Sequence, residues 1–314
     1  MPNWKDVLEQ IGKLRAESGV AAQKAVDTVR HSYLERLHKK TKRNVIAYYS
    51  GFLSKPGIAQ LEINDEDKNG FMMAVHKLDK TSGLDLILHT PGGSIAATQS
   101  IVNYLHKMFG SDIRAIVPQI AMSAGTMMAC SCRSVLMGEH SNLGPIDPHL
   151  RGIPAYGAIG EFRKAYTEIK KDPNKIRVWE PIIRQYKPTF LGQCQNAITW
   201  SNDFVQEQLE TVMFAGTGTV AQRRAKAKQV TQRLANYKKN KAHDRHLHLE
   251  ECQSIGLTIE RLEDDPELQD LVLTVHHCYM HSLMNTASFK IIENHLGSAF
   301  VKQQLQQVVL QQPN

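Results

Sequence analysis

Between Asn44 and Met137, short apolar segments alternate with longer amphipathic ones, and this alternation constrains the fold more than any other feature. The apolar segments are rich in β-branched and aromatic residues, which is typical of buried strands. We predict strands at Val45–Tyr49, Leu84–His89, Ile113–Pro118 and Val135–Met137. We predict helices between them, over 64–78, over Ile95–Phe109 and from Ser123 onwards. Because right-handed crossovers join strands that are separated by helices, the chain is predicted to form an α/β fold with a mostly parallel sheet.

The regions on either side of these strands are predicted to be helical. Apolar residues recur at three- to four-residue intervals through residues 1–43, which predicts an N-terminal helical arm able to pack on a partner subunit. A single domain is predicted over 44–300, with a helical C-terminal region whose last helix spans Asp270–His295. The glutamine-rich segment 301–314 is predicted to be a flexible tail.

Composition excludes several classes of protein. Of the 314 residues, 42% are apolar and 22% are charged, which excludes collagen and wholesale disorder. No apolar run approaches the ~20 residues that span a bilayer, and the charged N-terminus lacks the apolar region of a signal peptide. The five cysteines form no Cys-x-x-Cys pair and are predicted to be reduced thiols. We therefore predict a cytoplasmic protein without a membrane span.

Positive charge is concentrated in one late segment. The net charge is +7, and basic residues cluster between Arg223 and Arg245. Such a cluster could bind nucleic acid or an anionic lipid surface. We favour a solvated helix face, because no nucleic-acid-binding motif accompanies the charge and Tyr237 is the only aromatic residue in the segment.

Two turns that follow neighbouring predicted strands carry the residue types of a nucleophilic site. Gly92 and Gly93 follow the strand that ends at His89, and glycine lets another backbone or a ligand approach closely. Ser123 lies between small residues at the next strand-to-helix turn, where the helix start stabilises a developing negative charge. Because parallel strands bring both turns to one sheet edge, the Gly93 and Ala124 N–H groups are predicted to surround one oxyanion beside the Ser123 hydroxyl.

These motifs resemble those of the serine dehydrogenase proteinase family in the Clp protease/crotonase superfamily, whose other members include the Clp proteolytic subunit and signal peptide peptidase A. The resemblance covers roughly residues 44–295 and, beside the Ser123 turn, includes Tyr48–Ser50, His89–Gly93, Ser141–Pro148 and Glu250–Leu257. It implies a ββα-superhelix of stacked units, serine peptidase activity and assembly into a homo-oligomer. It also implies that Ser123 is the nucleophile and that Gly93 and Ala124 form the oxyanion hole, with Gly92 supporting them.

The sequence leaves the general base open. The stretch that supplies the base histidine in the Clp proteolytic subunit reads Pro-Ile-Asp-Pro over 145–148, although His149 follows directly. Asp244 resembles the orienting aspartate of that subunit, and Asp147 could accept a proton only if burial raised its pKa. The membrane-associated relatives use a Ser-Lys dyad, and Lys164, Lys170, Lys171 and Lys175 lie in or near the window after the serine where those relatives place the lysine. Of these, Lys164 is predicted as the catalytic partner if burial by its apolar neighbours lowers its pKa. Asp147, His149 and Asp244 are predicted as supporting residues.

Metal and cofactor binding are not predicted. Six histidines between His243 and His281 are interpreted as packed or solvated, because His277 and His281 have zinc-like spacing but no glutamate between them. A dinucleotide-binding motif is absent from the sequence, and Ser123 favours a peptidase over the acyl-CoA chemistry of crotonases. We therefore predict a cytosolic, ATP-independent serine peptidase that acts on peptides or proteins. The alternative is a catalytically weak scaffold that binds protein or nucleic acid.

Overall fold

Seven strands form the central sheet of the protein, which a computed structural model describes over residues 4–304. In chain order the strands are β1 (Asn44–Ser50), β2 (Leu84–His89), β3 (Ile113–Val117), β4 (Ile120–Ala121), β5 (Ser134–Met137), β6 (Asn142–Leu143), β7 (His149–Leu150), β8 (Ile153–Pro154), β9 (Leu247–His248), β10 (Ile259–Arg261), β11 (Ser288–Asn294) and β12 (Ala299–Gln303). The sheet order is β10-β5-β3-β2-β1-β11-β12. The four pairings from β10 to β1 are parallel, and the two that involve β11 are antiparallel. The predicted α/β fold with a mostly parallel sheet is therefore confirmed.

Helices connect the parallel strands and cover the sheet. They are α1 (Trp4–Ser18), α2 (Ala22–Thr41), α3 (Asp67–Val75), α4 (Ile95–Phe109), α5 (Ala124–Cys130), α6 (Ala155–Lys171), α7 (Ile176–Ile183), α8 (Phe190–Gln208), α9 (Val220–Leu234), α10 (Tyr237–Asn240), α11 (Leu249–Ile255) and α12 (Pro266–Asn285). The helix α4 and the strand β2 have the bounds that the sequence predicts. Within residues 4–304, no helix is both long and apolar enough to cross a bilayer.

Both faces of the central sheet are buried. Along β1, Ile46 and Tyr48 belong to a core with α3, α4 and α5, whereas Val45 and Tyr49 belong to a second core with α1, α2 and α12. Alternate residues of a strand point to opposite faces, so every residue of β1 is buried. A strand that is buried on both faces has a nearly continuous apolar sequence, and this is why the parallel strands could be predicted from the sequence.

A second, three-stranded sheet with the order β4-β6-β9 stands beside the first. The strand β4 pairs in parallel with β6, with Ala121 opposite Leu143, and β6 pairs antiparallel with β9. A parallel bridge between Thr90 and Ala121 joins this sheet to the end of β2. Beyond it, the hairpin β7–β8 leads into the outer helices α6, α7 and α8, and residues of α6 and α8 form a third apolar cluster with the hairpin.

The C-terminal region differs from the prediction. The predicted helix over Asp270–His295 ends at Asn285, and Thr286 adopts an extended backbone conformation. The chain then returns as β11, whose seven residues are all buried between β1 and β12. The predicted extension of the last helix to His295 was wrong, because β11 is buried within the sheet yet contains Lys290, Glu293 and Asn294, so it shows neither a continuous apolar run nor the alternation of a half-exposed strand.

The N-terminal region forms two helices rather than one, since Gly19 has a φ of 61° between α1 and α2. Their apolar residues Val7, Ile11 and Leu34 pack with α12 in the second core, so this face of the predicted arm is covered by the chain itself. At the other end, β12 reaches Gln303, so the start of the predicted tail at residue 301 lies within a strand. The rest of that tail, from residue 305, lies outside the described residues.

Candidate functional site

Ser123 occupies the sharp turn between β4 and α5. Its φ of 51° and ψ of −114° are unusual for a residue with a side chain, and strain of this kind concentrates at functional sites. Its side chain makes no capping hydrogen bond, although Ser123 is the residue that begins the helix. The serine is half-buried and is followed by the buried, small Ala124 and Gly125. The hydroxyl is therefore not committed to holding the helix end.

The diglycine turn lies directly against the serine turn. Gly92 has a φ of 101°, and a Cβ atom added to it would lie 2.7 Å from the Cβ of Ser123 and 3.0 Å from the amide nitrogen of Ala124. Two backbone hydrogen bonds hold this contact, from the Thr90 N–H to the Ile120 carbonyl at 3.1 Å and from the Met122 N–H to the Thr90 carbonyl at 3.0 Å. The structure thus brings together the two turns that the sequence singled out.

Gly93 is held from its other side by the segment that precedes α3. The Ile63 N–H donates to the Gly92 carbonyl at 2.7 Å, and the Ser94 N–H donates to the Ile63 carbonyl at 2.9 Å. A Cβ atom on Gly93 would lie only 2.4 Å from both the nitrogen and the carbonyl oxygen of Ile63. The position requires glycine because of this close approach as well as because of its φ of 153°.

Several backbone N–H groups at this junction donate no hydrogen bond to any residue within 4–304, and two of them lie at the predicted oxyanion positions. These two belong to Gly93, between two paired neighbours, and to Ala124, in the first turn of α5. Backbone donors that are pre-positioned and unpaired can stabilise an anion without first breaking another hydrogen bond. These two amides are therefore available to the oxygen of a bound carbonyl group.

A second constellation joins Asp147, His149 and His243. The Asp147 carboxylate is only 1% exposed, and its Oδ1 lies 3.1 Å from Nδ1 of His243 in a hydrogen bond. Its Oδ2 lies 3.4 Å from Nε2 of His149, without hydrogen-bond geometry. The two imidazole rings are 4.0 Å apart between centroids. Burial would raise the pKa of Asp147, but the two histidines outweigh it and hold that pKa below its ordinary value.

The small sheet contains the strands that lead into the serine turn and toward this constellation. Ser123 follows Ala121 by two residues, and Asp147 follows Leu143 by four residues, on parallel strands that pair at Ala121 and Leu143. The chain therefore leaves β4 and β6 in the same direction. The Gly144 N–H also donates to the Thr126 hydroxyl at 2.9 Å, which ties the path after β6 to α5.

The structure places the other two predicted site residues elsewhere. Asp244, predicted as a supporting residue, is exposed, and its neighbour His243 contacts Asp147. Lys164 lies on α6 with its side chain 66% exposed and its ammonium 4.0 Å from Glu168. The prediction that Lys164 acts as a base required a buried amine, and this requirement is not met. The sequence interpretation placed His243 among packed or solvated histidines and did not predict its contact with Asp147, because the two residues are 96 positions apart in the chain.

A cavity of about 730 Å³ opens between α6, α8 and the chain just after α9. Its wall includes Tyr156, seven residues after His149, and Tyr237, six residues before His243. Arg163 and Lys238 contribute positive charge to the same wall. The segments that carry both histidines therefore also form a space large enough for several side chains of a ligand.

Part of the charge in the basic segment 223–245 is neutralised within the chain. Arg224 pairs with Glu210 at 3.2 Å, while Arg233 and Arg245 approach Glu251 at 2.7 and 3.1 Å. These pairs support the interpretation of a solvated surface over that of an interface for an anionic partner.

A family model for ClpP-like SDH-type serine proteinases matches residues 18–295 of the chain. The chain belongs to this family. The match extends through the diglycine turn, the serine turn and the Asp147 constellation. The resemblance deduced from the motifs is therefore confirmed, including a likeness to the ClpP type of fold.

Two curated relatives from Methanocaldococcus jannaschii are themselves uncharacterized proteins. MJ0137 is 40% identical over 93 residues, which cover 30% of this chain and 32% of the relative. MJ1495 is 32% identical over 110 residues, which cover 35% of this chain and 37% of the relative. The chain thus matches only about a third of the length of each relative, and neither relative is named for an activity.

Proposed function

We propose that this member of the family is a serine peptidase whose nucleophile is Ser123 and whose oxyanion hole consists of the Gly93 and Ala124 N–H groups. The observation that carries the proposal is the meeting of two unpaired amides with a strained, uncapped serine at one turn. Family membership supports the same reaction class. Two oriented donors at a tetrahedral oxyanion contribute several orders of magnitude in rate to acyl transfer.

We propose His149, whose Nε2 lies 3.4 Å from Oδ2 of Asp147, as the general base in place of Lys164. The Oγ of Ser123 bonds to the peptide carbonyl carbon while its proton passes to the imidazole. The carbon–nitrogen bond then breaks as His149 returns that proton to the leaving amine, and water hydrolyses the acyl-enzyme by the same route. With Nε2 facing the carboxylate, Nδ1 is the ring nitrogen left for the serine proton.

Labelling by a fluorophosphonate probe tests the nucleophile. We expect the wild-type protein to be labelled and Ser123→Ala to show no labelling. Ser254→Ala is the matched control, because Ser254 is exposed and its hydroxyl only donates to a helix carbonyl. Equal labelling of Ser123→Ala and the control would reject Ser123 as the nucleophile.

The same probe distinguishes His149 from Lys164 as the general base. We expect His149→Ala to lower the labelling rate about 10²- to 10⁴-fold, the usual contribution of a general base. Lys164→Ala is expected to label at the wild-type rate, because its ammonium is exposed and paired with Glu168. The opposite pattern would restore the Ser-Lys dyad.

We further propose that the chain folds as the ββα-superhelix of the superfamily and assembles into a homo-oligomer, and that hydrolysis requires no ATP and takes place in the cytoplasm. The family likeness supports assembly, and the sequence has no phosphate-binding Gly-x-x-x-x-Gly-Lys loop. Light scattering of the purified chain measures the subunit number, and hydrolysis of unfolded protein with and without ATP measures the nucleotide requirement. A monomer, or turnover only with ATP, contradicts this part of the proposal.

The alternative function is a scaffold that binds protein or nucleic acid without turnover. It predicts a gel shift with DNA or RNA that weakens steeply with salt, and no cleavage of casein. The internal pairing of Arg224, Arg233 and Arg245 disfavours it.

A further inference from the structure

The constellation of Asp147, His149 and His243 has the composition and spacing of a metal site. One carboxylate oxygen and one nitrogen from each histidine lie within 4.8 Å of one another. In the part of the chain that the structure describes, this is the one group of three or more such side chains to converge in this way. The ligands come from the loop after β6, from β7 and from the loop before β9, so the fold assembles them from distant segments.

Two of these atoms are buried without a hydrogen-bond partner. They are Oδ2 of Asp147 and Nε2 of His149, which face each other at 3.4 Å. An unpartnered polar atom in the interior costs free energy, and the Asp147 side chain is almost completely buried. A cation between Oδ2 of Asp147 and Nε2 of His149 would give both atoms a partner. Nδ1 of His243 is hydrogen-bonded to Oδ1 of the same carboxylate.

We propose that Asp147, His149 and His243 bind one divalent transition-metal ion of the zinc class. Two imidazoles and one carboxylate form a ligand set that suits Zn²⁺ or Co²⁺, whereas Mg²⁺ and Ca²⁺ prefer oxygen ligands alone. Three protein ligands leave a tetrahedral ion one position for water. Binding requires Nδ1 of His243 to be unprotonated, so its proton moves to Nε2 or to solvent.

Occupancy of this site regulates the proposed peptidase, a consequence that rests on the proposed function. The ion coordinates the Asp147 carboxylate that faces His149, and it also coordinates Nε2 of His149, which fixes the orientation of the ring. A metal-bound imidazole carries positive charge beside it and is a poor acceptor for the Ser123 proton. The bound metal therefore inhibits hydrolysis, and a chelator restores it.

The binding experiment uses chelator-stripped Ser123→Ala protein, so that its outcome is independent of peptidase activity. We expect titration calorimetry with ZnCl₂ to give one ion per chain, and CoCl₂ to produce the intense visible absorption of a tetrahedral Co²⁺ complex. When His243→Ala or His149→Ala is combined with Ser123→Ala, we expect Zn²⁺ binding to weaken at least ~10-fold and the cobalt spectrum to disappear.

His246→Ala and Asp244→Asn are the matched controls, because both residues are exposed in the same segment as His243. They are expected to keep the wild-type affinity, and circular dichroism checks that every variant is folded. Zinc affinity that is unchanged in His243→Ala, or lost equally in His246→Ala, overturns the proposed site. Tighter binding of Mg²⁺ than of Zn²⁺ overturns the assignment of the metal class.

A second measurement tests inhibition separately, as the ratio of hydrolysis rates with and without ZnCl₂ in each protein. In the protein without substitutions, we expect ZnCl₂ to lower the hydrolysis rate at least ~10-fold and a chelator to restore it. In His243→Ala the ratio is expected to stay near one. Binding without inhibition overturns the regulatory role alone, and failed labelling of Ser123 overturns the peptidase alone.

Discussion

At the scale of single residues, Ser123 is held in a backbone conformation that a side chain disfavours. Its φ of 51° and ψ of −114° fall in a region that glycine adopts readily. The surrounding contacts enforce this geometry, since the turn is fixed by the Met122–Thr90 hydrogen bond and by packing against Gly92. The serine therefore stores strain that a change of residue can release.

We expect Ser123→Gly to be more stable than Ser123→Ala by about 1–3 kcal/mol in the free energy of unfolding, because only glycine removes the conformational strain. Both variants lack the hydroxyl and are expected to be inactive. Denaturant unfolding with matched slopes measures the difference. Equal midpoints would show that the turn relaxes without cost when the hydroxyl is removed.

Gly93 offers a test of the oxyanion hole. Its Cβ would clash with Ile63 at 2.4 Å, so Gly93→Ala must displace the amide. We expect fluorophosphonate labelling to slow about 10²- to 10³-fold, as for the loss of one oxyanion donor. Gly19→Ala is the control, because Gly19 also has a positive φ of 61° but its Cβ would meet nothing within 4 Å. If both variants label at one rate, the Gly93 amide takes no part.

At the scale of elements, a buried ion pair contacts the Glu62–Ile63 segment, which is hydrogen-bonded to the diglycine turn. Lys290 on β11 and Asp67 on α3 are fully buried, with Nζ 3.0 Å from the carboxylate and 2.8 Å from the Glu62 carbonyl. Burial lowers the pKa of Lys290, and the Asp67 charge opposes that shift. Glu62 precedes Ile63, so this pair positions the backbone that holds Gly93.

Lys290→Met is expected to destabilise the protein by about 3–5 kcal/mol, because it removes the cation closest to the buried Asp67. Asp67 then keeps hydrogen bonds from the Tyr48 hydroxyl and the Asn64 N–H, with the Lys302 ammonium 4.0 Å away. In the double variant Lys290→Met/Asp67→Asn the buried charge is gone, so part of the lost stability should return. A double-mutant cycle on the unfolding free energies measures this coupling. Strictly additive losses would mean that the two side chains act independently. If the pair positions Gly93, kcat should fall more than KM rises in the folded double variant.

At the scale of the whole molecule, the parallel strands and their turns were predictable because each signal is local. Gly83 opens β2 and Pro91 follows it, so its bounds could be read directly from the sequence. The turns that carry Ser123 and Gly93 were located in the same way, from the residue types typical of strand-to-helix turns. The strand β11 could not be found, because its register depends on β1, more than 240 residues earlier.

The groups around Ser123 were less predictable than the serine itself. Lys164 was nominated by its distance along the chain and by apolar neighbours expected to bury it, but neighbours in sequence do not determine burial, and its side chain is 66% exposed. The partnership of Asp147 with His243 depends on loop conformations that no periodic pattern encodes. Long-range side-chain contacts of this kind became visible only when the two sheets were placed side by side.

The buried histidines make the stability of the whole molecule depend on pH. His89 is fully buried among Tyr49, Phe52 and His276, and neither ring nitrogen has a hydrogen-bond partner within residues 4–304. Burial lowers the pKa of His89 to about 3. Burial, together with the neighbouring His89, His277 and His140, also holds the pKa of His276 well below its ordinary value. The folded protein therefore keeps both rings neutral where the unfolded chain binds protons.

The sign of the effect follows from proton linkage. In the unfolded chain histidine titrates near pH ~6.5, so the stability due to a neutral His89 is complete above that pH and is lost as pH falls toward about 3. Each such histidine makes the unfolding free energy fall by about 1.4 kcal/mol per pH unit within this window. We expect His89→Phe, whose ring can pack against Tyr49 and Phe52, to reduce that slope by one histidine's share between pH ~6 and ~4. Urea unfolding at several pH values measures the slope, with the exposed His76→Asn as the control. If His89→Phe and the control lose stability in parallel with the wild type, the His89 ring is protonated without unfolding and the predicted linkage is wrong.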